Sequence, residues 1–336
     1  MSLKSFSRFI AALALLSAGS VVHAEKAELR LAQQYGISYL PLMVVEHKRL
    51  IEKHAAAEGL GDIRVCWSKF AGGNVMNDAL LSGSLDFAAA GVAPATTLWA
   101  KTRGTPSEVR LVSATGSMPM LLNTRNPDVH SIKDFTEKDR IALPAVKVSI
   151  QAVTLQMAAE KLYGEGNHNK LDANTVTLAH PDAQAALLSG RGEISAHFTT
   201  PPFQYQQLEN RDIRTVLNSY DVLGGSTTLN VVYTTAKFRD ENPKTYKAFL
   251  AALEEAIAFI NSDKKAAAEF YLRYSKDKDT VEDILAILDD PQVEFTRTPK
   301  NITRYADFMF RIGSIKQKPT SWKDLFFADI HHLAGS

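Results

Sequence analysis

Three predicted helices begin at residues suited to holding a negatively charged group. Gly73, Pro94 and Ser149 each follow a predicted strand and open a segment with helical periodicity. The first backbone N–H groups of a helix have no partner within it, so they can donate to an anion. Each terminus would contribute about 0.3–2 kcal/mol to binding. Ser149 and Asn74 are also good capping residues, and for either residue alone capping is the simpler explanation.

The sequence lacks the spacings of familiar catalytic and metal sites. It contains no Gly-x-Ser-x-Gly, no glycine-rich phosphate loop with lysine and no His-Glu-x-x-His. His47 and His54, and the adjacent His331 and His332, do not form a convincing set of metal ligands and are interpreted as surface residues. Cys66 is expected to be a buried structural thiol. We therefore predict no catalytic residue, no metal and no cofactor.

A repeated pentapeptide indicates how the chain is organised. Ala-Leu-Leu-Ser-Gly occurs at 79–83 and again at 186–190. Three residues after each Gly an acid, Asp86 or Glu193, leads into an apolar run. This pattern is typical of a helix end, a left-handed glycine cap and a buried strand. Chance is the alternative, since the residues are common, but the context matches on both sides and favours two similar α/β units.

The order of predicted elements extends this picture to the whole chain. Strands and helices alternate between residues 29 and 235, which is typical of a parallel sheet with helices on both faces. After Asn242-Pro243 only helical patterns follow, and these helices should wrap the first unit and brace the hinge. The predicted fold class is α/β, with two doubly wound lobes joined by a hinge of two crossovers, near 113–118 and 220–227. The predicted segments are 1–24 signal peptide, 25–115 lobe one (first part), 116–220 lobe two, and 221–336 lobe one (second part).

The N-terminus has the pattern of a secretory signal peptide. Lys4 and Arg8 precede a short apolar core, and Ala24 ends the segment. The core is too short for a comfortable membrane span, and the absence of a cysteine at the cleavage point argues against a lipoprotein anchor. Without Lys4 and Arg8 the formal charge changes from +1 to −1, which provides no general field for nucleic acid. The single cysteine allows no internal disulfide.

The candidate binding site follows from the rule that ligands of open α/β sheets bind beyond the carboxyl ends of strands. In lobe one this selects Gln34, Tyr35, Gly36, Tyr39, Gly72, Gly73, Asn74, Val92 and Pro94. In lobe two and the crossovers it selects Met118, Ser149, Ile150, Phe198, Thr199, Thr200, Ser226 and Thr227. Trp99 is interpreted as a core residue and Lys69 as a solvated lysine. The expected ligand is one small molecule held between the lobes.

In these segments the chain resembles the periplasmic solute-binding proteins of ABC importers. The branch it is most similar to is the one for aliphatic sulfonates, taurine and nitrate, which includes thiamine-pyrimidine binders. The resemblance covers most of the mature chain to about Pro243 and is fainter beyond it. It rests on the order of Leu29–Gly36, Phe70–Gly73, Ala79–Phe87, Gly91 with Pro94, Ser149, and the second Gly-x-x-acid unit.

This resemblance implies a type II periplasmic binding protein. It implies two lobes that close around one solute, a periplasmic location, a membrane permease as partner, and a monomer. Gln34, Gly36, Gly73, Ser149 and the segment 198–201 match positions that meet ligand in that family.

Several residues depart from the family pattern. Val92 stands where sulfonate binders tend to have Asp, Ile150 replaces a polar residue, and Thr199-Thr200-Pro201 replaces Trp-Asp-Pro. These departures predict a less polar pocket than sulfonate binders have. The Cys-rich motif of the pyrimidine-precursor branch is absent, which argues against that ligand and against the related synthase.

Two other functions remain open at this stage, and a further one is disfavoured. A periplasmic enzyme on the same scaffold would need Cys66 or His197 as its reactive group. A ligand-loaded sensor that docks on a membrane receptor is not distinguished from a transport protein by sequence. A transcription-factor effector lobe is disfavoured by the predicted signal peptide and by the lack of a helix-turn-helix.

Overall fold

The computed structural model describes residues 24–336, so the predicted signal peptide lies outside the described residues except for Ala24. The chain first forms β1 (Glu28–Gln33), α1 (Leu40–His47), α2 (Leu50–Ala57), β2 (Arg64–Lys69), α3 (Gly73–Leu81), β3 (Phe87–Gly91), α4 (Val92–Thr102) and β4 (Val109–Ser117). It continues with β5 (Leu121–Thr124), β6 (Arg140–Leu143), α5 (Ile150–Tyr163), β7 (Thr175–Thr177), α6 (His180–Ser189), β8 (Ile194–Thr199), α7 (Phe203–Leu208) and β9 (Arg214–Asn218).

The last third of the chain is mainly helical. It comprises α8 (Ser219–Leu223), β10 (Thr228–Thr235), α9 (Ala236–Glu241), α10 (Pro243–Ser262), α11 (Lys264–Ser275), α12 (Val281–Asp289), α13 (Thr303–Arg311) and α14 (Trp322–Leu325). Within residues 24–336 no helix combines the length and the apolar character needed to cross a bilayer.

The strands form two five-stranded sheets of the same design. The first has the order β2-β1-β3-β10-β4, and the second has the order β7-β6-β8-β5-β9. The prediction of parallel sheets is wrong for one strand in each, because β10 and β5 run antiparallel to both of their neighbours. Each is the strand that follows a crossing from one sheet to the other. Such a strand is not held by a helical crossover within its own sheet, so nothing requires it to be parallel.

The repeated pentapeptide marks equivalent places in the two sheets. Helices α3 and α6 end at the two repeats, and their glycines, Gly83 (φ 73°) and Gly190 (φ 63°), take the predicted left-handed conformation. The strands that follow, β3 and β8, each occupy the third position of a sheet. Asp86, just before β3, accepts from the backbone N–H of Arg30 at 2.8 Å and thereby ties β3 to β1. The predicted helix–cap–strand unit is confirmed in both places.

Local residue choices explain where the helices start. Pro41 lies in the first turn of α1, where a missing N–H costs nothing. Arg49 has φ 52°, and this left-handed residue separates α1 from α2. Ser149 caps α5, because its side-chain oxygen accepts from the Ala152 N–H at 3.2 Å. This hydrogen bond fixes the start of α5 at Ile150.

Aromatic residues hold the C-terminal helices against the first sheet. Phe87 of β3 stacks on Phe249 of α10 with ring centroids 4.4 Å apart, and Phe238 meets it edge-on at 5.0 Å. Trp99 is fully buried and donates to the Asp324 carbonyl at 3.0 Å, which confirms it as core. Cys66 is only half-buried, because β2 is an edge strand of the sheet, so the prediction of a buried thiol is wrong.

Helix α13 also contacts the second sheet's helices. Tyr305 and Thr154 of α5 share a buried hydroxyl–hydroxyl hydrogen bond of 3.0 Å. Arg311 pairs with Glu160 at 2.5 Å and lowers the pKa of that carboxyl. These contacts fit the expectation that the C-terminal helices brace the junction between the two halves, whose lobe boundaries remain a prediction.

Candidate ligand-binding site

A small cavity lies between the two sheets. Its volume is about 20 Å³, enough for roughly one water molecule. The first half of the chain and β10 contribute Gln34, Tyr35, Ser38, Tyr39, Gly73, Gly91, Pro94, Leu229 and Asn230. The second half contributes Ser149, Ile150, Gln151, His180 and Thr200. A solute-sized molecule would require the two walls to move apart.

The wall formed by the first half is a chain of uncharged polar groups. The Gln34 amide donates to the Tyr39 hydroxyl at 2.9 Å, and Tyr39 lies 3.4 Å from the Asn230 side-chain oxygen. The Asn230 amide donates to Ser38 Oγ at 2.9 Å. Burial, with a smaller contribution from Tyr233, raises the pKa of Tyr39 well above its ordinary value. The phenol therefore stays protonated and donates its proton to the Asn230 side-chain oxygen.

The opposite wall contains two neutral histidines, one at the cavity and one behind it. His180 lines the cavity, and His197 lies behind it with ring nitrogens 2.9 Å apart. Burial lowers the pKa of His180 to about 3. Burial, and then the neighbouring His180, lowers the pKa of His197 well below its ordinary value. Neither ring is charged at neutral pH, so the cavity lining carries no formal positive charge.

Helix N-termini supply positive potential in place of charged side chains. Gly73 opens α3, Gly91 directly precedes α4, Ser149 caps α5, and His180 is the first residue of α6. The N-cap residues of α3, α4 and α6 make no side-chain capping hydrogen bond. Four helix dipoles therefore point their positive ends at one small volume, which favours an electronegative group there.

Thr200 presents a hydroxyl with no partner. Its Oγ1 is buried and has no hydrogen-bond partner among the described protein atoms. A buried hydroxyl without a partner costs free energy that a bound ligand can recover. Thr200 lines the cavity, so the unpaired hydroxyl indicates a place for a polar ligand atom.

We expect Thr200→Val to leave the free energy of unfolding unchanged or to raise it by up to about 1 kcal/mol, because it removes an unpaired buried group. Thr154→Val is the matched control, since the Thr154 hydroxyl donates to the Ile150 carbonyl at 2.7 Å or shares its 3.0 Å hydrogen bond with Tyr305, and its loss should cost about 1–3 kcal/mol. Urea unfolding of both variants measures the difference. Equal destabilisation would contradict the assignment.

Glycines let the two walls touch. A Cβ added at Gly36 would lie 3.0 Å from the Pro201 carbonyl oxygen, and one at Gly91 would lie 2.7 Å from Ile150 Cγ2. The Ile37 N–H also donates to the Pro201 carbonyl at 3.1 Å across the cleft. The structure is therefore a closed arrangement that depends on the absence of side chains at these positions.

The sequence-selected residues fall into two groups. Those that line the cavity are Gln34, Tyr35, Tyr39, Gly73, Pro94, Ser149, Ile150 and Thr200. Those outside the lining are Gly36, Gly72, Asn74, Val92, Met118, Phe198, Thr199, Ser226 and Thr227. Gly36 contacts the opposite wall, and Thr199 Oγ1 lies 3.1 Å from His180 Nδ1, so both residues lie next to the cavity lining. Ligand contact by any of these residues remains a prediction.

The strand-end rule did not select six other residues of the cavity lining, namely Ser38, Gly91, Gln151, His180, Leu229 and Asn230. Leu229 and Asn230 lie near the start of β10, which reaches the carboxyl edge of the sheet because that strand is antiparallel. His180 is the first residue of α6 and follows β7, which ends at Thr177. It therefore lies beyond the carboxyl end of a strand, where the strand-end rule places ligand-binding residues.

The two residues considered for an enzyme lie away from the cavity lining. Cys66 is in edge strand β2. His197 is fully buried, and its ring nitrogens lie 2.9 Å from His180 and 2.7 Å from Gln207. Lys69 is exposed, and its ammonium lies 5.8 Å from the ring centre of Tyr35, at the edge of the site.

Solved structures similar to this chain include periplasmic binding proteins. The alkanesulfonate-binding protein of Xanthomonas axonopodis pv. citri, bound to MOPS, matches with a TM-score of 0.67 and 18% identity over 86% of this chain and 95% of that chain. The aliphatic sulphonate binding protein of Escherichia coli matches with a TM-score of 0.63 and 18% identity over 90% and 92%. The nitrate-binding protein of Synechocystis PCC 6803 matches with a TM-score of 0.65 and 16% identity over 92% and 86%.

These likenesses establish the periplasmic binding protein fold and confirm the resemblance found in the sequence. No curated protein sequence matches the chain. A family model matches residues 23–272, which is more than half of the chain. The protein belongs to the NMT1-like family.

Proposed function

We propose that this protein is a periplasmic solute-binding protein that captures one small organic acid between its lobes and delivers it to the permease of an ABC importer. The observation that carries the proposal is the interlobe cavity, where four helix N-termini meet an uncharged polar lining. Such a site can hold an anion by backbone N–H groups and dipoles without a cationic side chain. Periplasmic location and a monomeric state belong to the same proposal.

The lining also indicates the shape of the solute. Pro94, Ile150 and Leu229 provide apolar surface beside the polar groups. We infer a solute with an acidic head, directed at the helix N-termini, and a small apolar body packed on these side chains. The similar structures include an alkanesulfonate-binding protein and a nitrate-binding protein, which supports an anionic head. The apolar residues favour an organic body over a bare inorganic ion.

Binding would proceed by closure of the cleft. The observed cavity is far smaller than a ligand pocket of typical size, several hundred Å³. The solute would therefore enter an open form, and its contacts with both walls would favour the closed form. The loaded, closed surface is then what a permease would recognise. No residue of the chain is proposed to perform chemistry on the solute.

A thermal-unfolding panel tests this proposal with the mature protein at constant pH and salt. The panel contains alkylsulfonates, taurine, nitrate, aromatic carboxylates and pyrimidines. A true ligand at 100 times its Kd adds about 2.7 kcal/mol of stability, which raises Tm by a few degrees. A shift with one anionic class supports the proposal.

Two results would count against it. A Tm raised only by neutral pyrimidines would refute the acidic head. No shift with any compound, together with no small molecule released from the denatured protein in mass spectrometry, would refute solute binding for these classes. Conversion of a bound compound to a product would favour the enzyme alternative.

A further inference from the structure

A buried chain of polar side chains runs through the second sheet to the cleft. Thr215 donates to Asn123 Oδ1 at 2.8 Å, and Asn123 Nδ2 donates to Gln207 Oε1 at 3.1 Å. Gln207 Nε2 lies 2.7 Å from His197 Nδ1, and His197 Nε2 lies 2.9 Å from His180 Nδ1. Asn123, Gln207 and His197 are fully buried, and His180 lines the cavity. Every link in this chain lies within hydrogen-bond distance.

A backbone carbonyl fixes the direction of the chain at its far end. Asn123 Nδ2 also donates to the carbonyl oxygen of Gln204 at 2.9 Å, and a carbonyl oxygen can only accept. The amide nitrogen of Asn123 must therefore be on that side. It follows that Gln207 accepts from Asn123 with its oxygen and offers its nitrogen to His197. The Gln204 carbonyl oxygen, which can only accept, thus sets the orientation of the Asn123 and Gln207 amides.

The direction of the amide hydrogen bonds also determines which ring nitrogen of His197 and of His180 carries the proton. The Gln207 amide is a donor, so His197 Nδ1 must be unprotonated. A neutral imidazole carries one proton, and on His197 it then resides on Nε2 and is donated to His180 Nδ1. Thr199 Oγ1, 3.1 Å from the same Nδ1, also donates to it. The single proton of His180 is therefore left on Nε2. Burial lowers the pKa of both rings, which keeps each of them neutral.

The opposite direction is disfavoured by a specific clash. If His180 carried its proton on Nδ1, His197 would accept it and turn its own N–H toward Gln207. The side-chain amides of Gln207 and Asn123 would then both have to rotate by 180°, which exchanges the places of their oxygen and nitrogen atoms. The Asn123 oxygen would face the Gln204 carbonyl oxygen at 2.9 Å, which places two acceptors in contact with no proton between them.

We propose that His180 is held as the Nε2–H tautomer and that this wall of the cleft therefore presents hydrogen-bond donors to the solute. Gln151 Nε2 lies 3.3 Å from His180 Nε2, and two donors cannot face each other, so the Gln151 amide must rotate by 180°. Its Oε1 then accepts from His180 Nε2–H, and its NH₂ group is the donor turned toward the rest of the lining. The ligand class is one with acceptor oxygens at this wall, namely a carboxylate, sulfonate, nitrate or carbonyl. A cation with only donors is rejected. The inference rests on the proposed function for the identity of the occupant.

NMR on the mature protein with ¹⁵N-labelled histidine tests the tautomers directly. The Nδ1 and Nε2 shifts distinguish the two neutral forms, and His180→Gln and His197→Gln variants assign the signals. We expect both residues to be protonated on Nε2 alone. A proton on Nδ1 of His180 would overturn the inference, whatever the protein binds.

Variants test whether the chain sets the tautomer. Gln207→Met removes the donor to His197 and should replace the single His180 form by a mixture. Thr199→Val is the control and should preserve the single form, because the His197 donor remains. An unchanged single form in folded Gln207→Met would overturn the role of the chain. If that variant does not fold, the spectrum of the unmodified protein still decides the tautomer.

Matched probes then test the donor wall. Acetate and benzoate have the shapes of acetamidinium and benzamidinium but the opposite hydrogen-bonding character. We expect the His180 Nε2–H signal, which reports on the Gln151 amide that accepts from it, to shift with a carboxylate and to be unaffected by the amidinium of the same shape. A shift with the amidinium alone would overturn the inference. An Nε2–H tautomer with no response to any probe would support the donor wall and count against the proposed organic-acid solute, so the two failures are distinguishable.

Discussion

Gly91→Ala is expected to weaken solute binding about tenfold to a hundredfold while leaving the folded protein nearly as stable as before. The added Cβ would lie 2.7 Å from Ile150 Cγ2 and 2.9 Å from Ile150 Cβ, both on the opposite wall. Gly91 has φ −57° and ψ 156°, which alanine adopts without strain. The cost therefore falls on the closed arrangement and spares the fold of either half. Overlap worth about 1–3 kcal/mol reduces the closed population and the apparent affinity by the same factor.

The experiment needs a control that changes glycine to alanine without the clash. Gly61 has open space around its added Cβ and no positive φ, so Gly61→Ala should bind as tightly as the unmodified protein. Calorimetry with the best compound of the thermal panel measures Kd. Small-angle scattering measures opening without any ligand, and Gly91→Ala should have the larger radius of gyration. Unchanged affinity and unchanged radius would show that closure does not bring Gly91 onto Ile150.

Much of the site could be predicted because strand ends in an α/β sheet share one edge. Gln34, Ser149 and Thr200 were selected by that rule, and the structure brings them to one cavity. The rule needs correct strand ends and strand directions. It failed for Asn230 because an antiparallel strand brings its opposite end to the same edge, and nothing local in the sequence reports direction.

The two crossovers show a different limit of sequence analysis. Met118 was selected because a chain passing between lobes is near the cleft, yet it is buried outside the cavity lining. The position of a residue along the chain locates it relative to the cleft only to within about the length of a strand. Whether the residue lines the cavity also depends on the direction of its side chain. The buried chain of polar side chains could not be predicted from the sequence either, because Asn123, Gln207 and His197 belong to three different elements.

The buried histidine pair is expected to make the protein sensitive to mild acid. In the folded state burial lowers the pKa of His180 to about 3 and the pKa of His197 well below its ordinary value, whereas the pKa of an exposed histidine is about 6.5. Below pH 6.5 the two histidines bind protons in the unfolded chain but stay unprotonated in the folded protein. The unfolded state then binds more protons, so stability is complete above about pH 6.5 and falls with decreasing pH. Each ring contributes a slope of about 1.4 kcal/mol per pH unit, and the pair about twice that.

The direction of this effect follows from the surroundings of the pair. The side chains within hydrogen-bond distance of the two rings are Gln151, Thr199 and Gln207, none of which can stabilise an imidazolium by charge. A second positive ring 2.9 Å away would make double protonation still less favourable. Acid therefore favours unfolding of the second sheet's core over protonation of the two histidines in the folded state.

Urea unfolding between pH 7.5 and 4.5 measures the effect, and a double variant isolates it. His180→Gln with His197→Gln should be less stable at pH 7.5, because it disrupts the buried hydrogen bonds, but its stability should fall less steeply with acid. Taking the difference between the two proteins removes the carboxylates common to both. His332→Gln, an exposed position near the C-terminus, should follow the unmodified protein throughout. Parallel curves for the unmodified protein and the double variant would mean that the pair is charged when folded, which would also remove the fixed tautomer on which the donor wall depends.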